Sequence, residues 1–165
     1  MQVRIAGTVN DSIVDGPGIR FSIFTQGCSH HCPGCQNPQT WDFEGGELVD
    51  TDDLLAKIAK NPLLKGITLT GGEPFEQPEP LIELSRACHE RGLDAWAYSG
   101  YTFEEIVGGA AGDAARELLS ECDVLVDGLF VEDLKTLGLK WRGSSNQRVI
   151  DVPASLDAGS VVERA

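Results

Sequence analysis

Three cysteines that lie within eight residues are the side chains of this sequence best suited to metal chemistry. Cys28, Cys32 and Cys35 have C-x3-C-x2-C spacing in the segment GCSHHCPGC. Thiolates are soft ligands that bind zinc or iron–sulfur clusters. A structural zinc site closes a tetrahedron with four protein ligands. His30 or His31 could be the fourth, but both lie inside the same compact loop, where closing a tetrahedron would be awkward. The spacing therefore favours a four-iron cluster with three cysteine ligands and one open iron.

The other two cysteines are predicted to belong to the core. Cys88 falls on the apolar face of a predicted helix, and Cys122 follows Leu118 and Leu119 at helical spacing. An unpaired cysteine packs as a small hydrophobic side chain. An odd number of cysteines with three of them clustered also disfavours an extracellular disulfide framework.

Polar and glycine-rich segments recur where predicted strands end. They are the cysteine loop after a strand at 19–25, Gly71-Gly72-Glu73-Pro74 after a strand at 66–70, Ser99 after a strand at 93–98, Asp127 after a strand at 124–126, and the loop around Asn146. The carboxyl ends of parallel strands meet at one edge of a sheet, where ligands bind in α/β folds. The pattern predicts one shared site.

The three-cysteine loop ahead of Gly-Gly-Glu-Pro resembles the radical S-adenosylmethionine (SAM) enzymes. That resemblance implies two cofactors: a 4Fe-4S cluster on the three cysteines, and SAM, whose amino and carboxylate groups chelate the open iron. An electron passed through the cluster would cleave the sulfonium and yield a 5′-deoxyadenosyl radical. The residues that the resemblance assigns to SAM binding are Gly34, Cys35, Gln36, Gly71, Gly72, Glu73, Ser99 and Asp127.

Further segments resemble the activases of glycyl radical enzymes, and in particular the small activating proteins of anaerobic (class III) ribonucleotide reductases. DGPGIR at 15–20 and NPQTW at 37–41 resemble the activases in general. SGY at 99–101, VDG at 126–128 and especially WRGSSNQRVID at 141–151 resemble the small activating proteins. The resemblance implies that the chain generates a glycyl radical on a reductase through hydrogen abstraction. The implied partners are that reductase and a low-potential electron donor such as a flavodoxin, with no nucleic acid and no membrane.

Other functions remain open. Gly34 stands where many radical SAM proteins have an aromatic residue, and Tyr98-Ser99-Gly100 stands where pyruvate formate-lyase activases have an Asp-Thr-Asn-Gly-type turn. The alternatives are an activase of another glycyl radical enzyme, small-molecule chemistry of the carboxy-deazaguanine synthase type, and a non-catalytic iron–sulfur or zinc module.

Five polar residues have two interpretations each. Asp15 either positions the target peptide or shapes its own turn. Glu73 either pairs with the SAM ammonium or is a solvent-facing carboxylate, and Asp127 either faces the SAM pocket or stays hydrated. Asn146 and Arg148 bind either SAM or the protein partner.

The composition limits the classes of protein to which this chain can belong. The chain has 165 residues, with 26 acidic against 13 basic side chains and a formal charge of -13. This charge disfavours generic nucleic-acid binding, because a phosphate backbone would be repelled. The first residues lack the apolar run of a signal peptide, and no apolar stretch approaches the roughly 20 residues of a membrane span, so we expect a cytoplasmic protein.

Alternation of strands and helices predicts an α/β fold with a mainly parallel sheet. Helices are expected at 51–59, 80–91, 103–107 and 113–121, and a last strand at 148–152. A complete eight-fold barrel needs roughly 250 residues. We therefore expect one open-sided domain over residues 1–165, built as a partial (β/α) barrel of the radical SAM type, with 153–165 as a loosely ordered tail. A loop of the reductase would fill the open side.

Overall fold

The computed structural model describes residues 1–164, which form seven strands and five α-helices. The strands are β1 (Gln2–Ser12), β2 (Ile19–Thr25), β3 (Glu47–Asp50), β4 (Leu64–Gly71), β5 (Asp94–Tyr98), β6 (Val124–Asp127) and β7 (Arg148–Asp151). The helices are α1 (Thr51–Ala59), α2 (Pro78–Glu90), α3 (Phe103–Val107), α4 (Asp113–Glu121) and α5 (Val152–Ala158). Across this part of the chain, no helix combines the length and apolar character that crossing a bilayer requires.

The strands form a single open sheet in the order β3-β1-β2-β4-β5-β6-β7. The central strands β2, β4, β5 and β6 are parallel, whereas β1, β3 and β7 pair antiparallel at the two flanks. The α/β prediction is confirmed, but the sheet is mixed. A short link between β1 and β2 accounts for part of this difference, because short links join antiparallel strands and parallel pairs need a longer crossover.

The sequence pattern correctly predicted the positions of most central strands and helices. β2, α1, α3 and α4 have the predicted bounds, and the side chain of Asp50 caps α1 by accepting a hydrogen bond from the amide of Asp52. α2 begins two residues earlier than predicted, at Pro78. Proline fits the first helical turn because its missing N–H would have no partner there.

Three elements lie where periodicity did not predict them: β1, β3 and α5. In β1 only Val3, Ile5 and Ser12 are buried, so most of its length lacks an alternating apolar pattern. α5 lies in the segment expected to be a loose tail. It forms because Asp151 accepts a capping hydrogen bond from the amide of Ala154, and a proline occupies its first turn.

The two faces of the sheet have different surroundings. On β4, Ile67 and Leu69 pack in the main core with the apolar faces of the helices, whereas Thr68 and Thr70 alternate with them and point to the other face. Cys88 and Cys122 are 0% and 2% exposed within the main core, which confirms their predicted structural role. The second face holds a smaller cluster around Trp96.

Arg20 is a fully buried cation on that second face. Its guanidinium donates to Thr68 Oγ1 at 2.8 Å and to the carbonyl of Ile67 at 2.7 Å, and it pairs with the carboxylate of Asp94. It also lies 5.5 Å from the centre of the Trp96 ring. These contacts link β2, β4 and β5, so one ion pair crosses three parallel strands.

We predict that Arg20→Ala lowers the free energy of unfolding by about 3–5 kcal/mol, because it leaves Asp94 and two strand acceptors without their buried cation. Urea unfolding followed by circular dichroism measures the change. Arg116→Ala is the control, since that side chain is 53% exposed in its pair with Asp113 and should leave the midpoint almost unchanged. Equal midpoints for the two variants would contradict the role given to Arg20.

Candidate functional site

A cavity of about 680 Å³ opens on the sheet face that the helices do not cover. Its strand-borne wall includes Phe24, Thr70, Tyr98 and Val126, one from each of the four parallel strands. The structure brings eight of the predicted site residues to this cavity: Asp15, Cys28, Cys32, Cys35, Gln36, Gly71, Gly72 and Ser99. Gly34, Glu73 and Asp127 do not line it.

The cysteine loop is held by backbone hydrogen bonds at both ends. Gly27 N donates to Thr40 O at 2.6 Å and Cys28 N to Trp41 O at 3.2 Å, so the chain after the loop returns to its beginning. Within the loop, the amide of Cys35 donates to the carbonyl of Cys32 at 3.0 Å. The loop is therefore a compact unit whose three thiols face one cavity.

The thiols form a donor set that suits an iron–sulfur cluster. Burial raises the pKa of Cys28 to about 11, and burial also raises the pKa of Cys32, so both thiols are protonated near pH 7 until a metal displaces the protons. The amide of Asn37 lies 3.4 Å from Cys35 Sγ, a contact of the kind that tunes cluster sulfurs. In the described range 1–164, no three His, Cys, Asp or Glu side chains converge on a single-ion site. The fit to an iron–sulfur cluster rests on the donor chemistry, since three soft sulfur donors line one cavity.

Gly71 and Gly72 lie against the backbone at the end of β2. A Cβ on Gly72 would meet Gly27 O at 2.5 Å, and one on Gly71 would meet Thr25 N at 2.6 Å. The amide of Gly72 donates to Thr25 O at 2.8 Å, and the amide of Glu73 donates to Gly27 O at 2.9 Å. The glycines therefore permit close packing of this turn on the start of the cysteine loop, whatever ligand the cavity takes.

The carboxylate of Glu73 is fully buried and bonded entirely within the protein. Oε1 accepts from Gly100 N at 2.8 Å and lies 2.6 Å from His30 Nε2, while Oε2 accepts from Phe75 N at 3.1 Å. Ser99 Oγ lies 2.9 Å from both carboxylate oxygens. The interpretation of Glu73 as a solvent-facing carboxylate is wrong. Its role toward SAM stays a prediction.

His30 is a site residue that sequence reasoning considered only as a zinc ligand. Its hydrogen bond to Glu73 raises the pKa of the imidazole, and its ring packs edge-on against Tyr101 with centroids 4.6 Å apart. The only sequence signal for this role was the position of His30 inside the cysteine loop. Spacing alone could not pair it with Glu73, which lies 43 residues further along the chain.

Asp127 is 1% exposed and bonds to the protein rather than to water, so the hydrated interpretation is wrong. Its carboxylate accepts from Arg148 Nε at 3.0 Å and from the amide of Phe103 at 2.7 Å. Arg148 also pairs with Glu104, which lowers the pKa of that carboxyl. Asn146 donates to the carbonyl of Leu129 at 2.8 Å. Binding of SAM or a partner by these residues stays a prediction.

Asp15 lies at the cavity with its carboxylate held by two serines. Ser12 Oγ donates to it at 2.8 Å and Ser22 Oγ at 2.6 Å, while the backbone carbonyl of Asp15 accepts from Thr68 Oγ1 at 3.1 Å. These contacts fold residues 13–18 back over the second face of the sheet. Gly34 lies in the cysteine loop with a φ of +76°, where a Cβ would meet the side chain of Glu132 at 2.8 Å.

Residues 14–150 match the protein family described as a 4Fe-4S single cluster domain, which covers most of the chain. The α/β fold and the three-thiol cavity therefore belong to a 4Fe-4S protein. Among named relatives, the anaerobic ribonucleoside-triphosphate reductase-activating protein of Escherichia coli K12 is 39% identical over 145 residues, which are 83% of this chain and 91% of that protein. The protein of the same name from Salmonella typhi is 37% identical over the same shares, and that of Enterobacteria phage T4 is 37% identical over 82% of this chain and 86% of its own length. The chain belongs to the family of anaerobic ribonucleoside-triphosphate reductase-activating proteins.

We predict that Glu73→Gln lowers the free energy of unfolding by about 2–3 kcal/mol, because an amide group would face buried donors that now share a carboxylate. Chemical denaturation of the purified protein measures the loss. Glu79→Gln provides the matched control, since this exposed residue of α2 takes no part in the network. A Glu73→Gln variant as stable as the control would show that the network contributes little to folding.

Proposed function

We propose that this protein activates an anaerobic ribonucleoside-triphosphate reductase by generating a glycyl radical on it. Membership of the activating-protein family supports the target, and the match to a 4Fe-4S domain supports the cofactor. The observation that carries the proposal is the presence of three thiols and the Gly71-Gly72 turn on the wall of one cavity.

Cys28, Cys32 and Cys35 would hold the cluster, and the remaining cavity would take SAM. When bound, these groups supply electron transfer, reductive cleavage of the sulfonium and abstraction of a hydrogen atom from glycine. The protein supplies binding and orientation, as is usual for cofactor-dependent radical chemistry. Gly34, Cys35 and Gln36 would contact the adenine, and Gly72 the methionine part of SAM.

The turn at Gly71-Gly72 would present backbone groups to the SAM ammonium. The carboxylate of the next residue, Glu73, is directed into the protein instead. Ser99, which is buried and donates to Glu73, would act at the edge of the same pocket. A polar backbone wall fixed by buried hydrogen bonds holds a ligand in one orientation before reaction. Asp127 would act through the Arg148 pair rather than by direct contact with SAM.

The open sheet supports a protein substrate. Because β3 and β7 are unpaired with each other, the second face is not enclosed as it would be in a complete barrel. We infer that the strands correspond to a partial barrel of the radical SAM type and that a glycine-bearing segment of the reductase completes the enclosure. Asp15, held by two serines at the cavity, would position that segment through a backbone hydrogen bond.

The proposal predicts a glycyl radical on the purified reductase after anaerobic incubation with this protein, SAM and dithionite. Electron paramagnetic resonance detects the radical directly. Omitting SAM should abolish the signal, because the hydrogen acceptor derives from it. Turnover of a small metabolite without the reductase would instead support chemistry of the carboxy-deazaguanine synthase type, and protein that holds zinc would support a non-catalytic module.

Single replacements Cys28→Ala, Cys32→Ala and Cys35→Ala should each abolish cluster assembly and radical formation. Each removes one of the three thiols proposed to hold the cluster. Iron and sulfide analysis after anaerobic reconstitution gives the first readout, and the visible absorption of the cluster the second.

Cys88→Ala and Cys122→Ala are the matched controls because both thiols lie in the helical core, away from the cavity. They should retain the iron content of the wild-type protein despite some loss of stability. Full iron incorporation in any of the three loop variants would contradict the ligand assignment.

A further inference from the structure

Residues 134–145 form a hairpin beside the cavity, here called the rim hairpin. An antiparallel bridge joins Lys135 to Ser144, Thr136 N donates to Gly143 O at 3.1 Å, and Ser145 N donates to Leu134 O at 2.9 Å. Gln147 connects the base of the rim hairpin to the end of β6, because its Nε2 donates to the carbonyl of Gly128 at 3.0 Å. The rim hairpin is therefore a defined structure rather than an irregular loop.

The rim hairpin exposes an unusual amount of apolar surface. Leu137 is 93% exposed, Leu134 is 43% exposed and Leu139 is 39% exposed. Leu137 and Leu139 line the cavity, as does Val14, which is 77% exposed on the folded-back segment 13–18. Apolar side chains from both ends of the sheet thus border one opening. Contiguous exposed apolar surface with a polar border is characteristic of interaction sites.

The charge of the rim hairpin is opposite to that of the whole protein. Segment 134–142 contains Lys135, Lys140 and Arg142 and no acidic residue, although the chain carries a net charge of -13. Within residues 1–164, none of these three cations has a carboxylate within 4.0 Å. Positive charge beside the cavity would orient an acidic partner toward this opening.

We propose that the rim hairpin and Val14 form the docking surface for the reductase, and that they bind a segment of it that combines apolar side chains with carboxylates. This inference rests on the proposed function, because the reductase is the partner that must reach the cavity. A second copy of this chain on the same surface would cover the opening and obstruct a glycine-bearing segment. The surface therefore fits the substrate protein better than a self-association partner.

The test measures the affinity of the intact, cluster-loaded protein for the purified reductase by biolayer interferometry at low and moderate salt. The variants are the charge reversal Lys135→Glu with Lys140→Glu, and Leu137→Ser. The matched controls lie at or after α1, away from the cavity: Lys57→Glu with Lys60→Glu, and Leu63→Ser, whose leucine is 70% exposed.

We expect the charge reversal and Leu137→Ser each to weaken binding about tenfold or more, while the controls bind like the wild type. The wild-type affinity should fall with salt, and that dependence should shrink in the charge-reversed variant. Cluster content and SAM cleavage by dithionite without the reductase should stay unchanged in the charge-reversed variant, since neither lysine lines the cavity.

Unchanged affinity in both rim variants would overturn the docking surface. A wild-type dimer that the charge reversal converts to monomers would also overturn it, by identifying a second copy as the occupant. The proposed function fails separately, if the wild-type protein binds the reductase through this surface but places no glycyl radical on it.

Discussion

The buried carboxylate of Glu73 determines how three loops lie relative to one another. Transfer of an isolated carboxylate from water into a protein interior costs several kcal/mol, which only well-placed donors can offset. The donors here come from the cysteine loop, from the turn after β4 and from the turn after β5. Displacement of any of these loops would remove at least one of the donors that stabilise the buried carboxylate. The positions of the cysteine loop and of the cavity wall are thereby coupled through one buried side chain.

The backbone around Glu73 reinforces this coupling. Gly72 and Glu73 donate their amides to Thr25 and Gly27, so the turn after β4 continues the pairing of β2 with β4 into the cysteine loop. Only residues without a Cβ allow this approach. Gly71 and Gly72 thus combine close backbone packing with a place on the cavity wall.

Prediction from the sequence succeeded where a signal was local. Asp50 before an apolar stripe located α1, and the cysteine cluster predicted a 4Fe-4S protein, which the family match confirms. The roles of Cys28, Cys32 and Cys35 as ligands stay predictions. It failed where the cause was distant in sequence. Most of β1 and β3 lacks a buried apolar pattern because these strands lie at a sheet flank. Apart from Phe75, the partners of Glu73 and Asp127 lie 21 to 43 residues away along the chain. Side-chain orientation of this kind depends on tertiary contacts that periodicity does not encode.

Glu73 and Asp127 have the same arrangement at the ends of β4 and β6, the two strands that flank β5. Each is an acidic residue at the carboxyl end of the parallel sheet, where a catalytic carboxylate would be expected. Each is turned inward instead, Glu73 to His30 and Ser99, Asp127 to Arg148 and the amide of Phe103. The Asp127 pair joins β6 to β7 and so supports the base of the rim hairpin, while Glu73 supports the cysteine loop. These carboxylates therefore position the wall and the border of the cavity that the three thiols line.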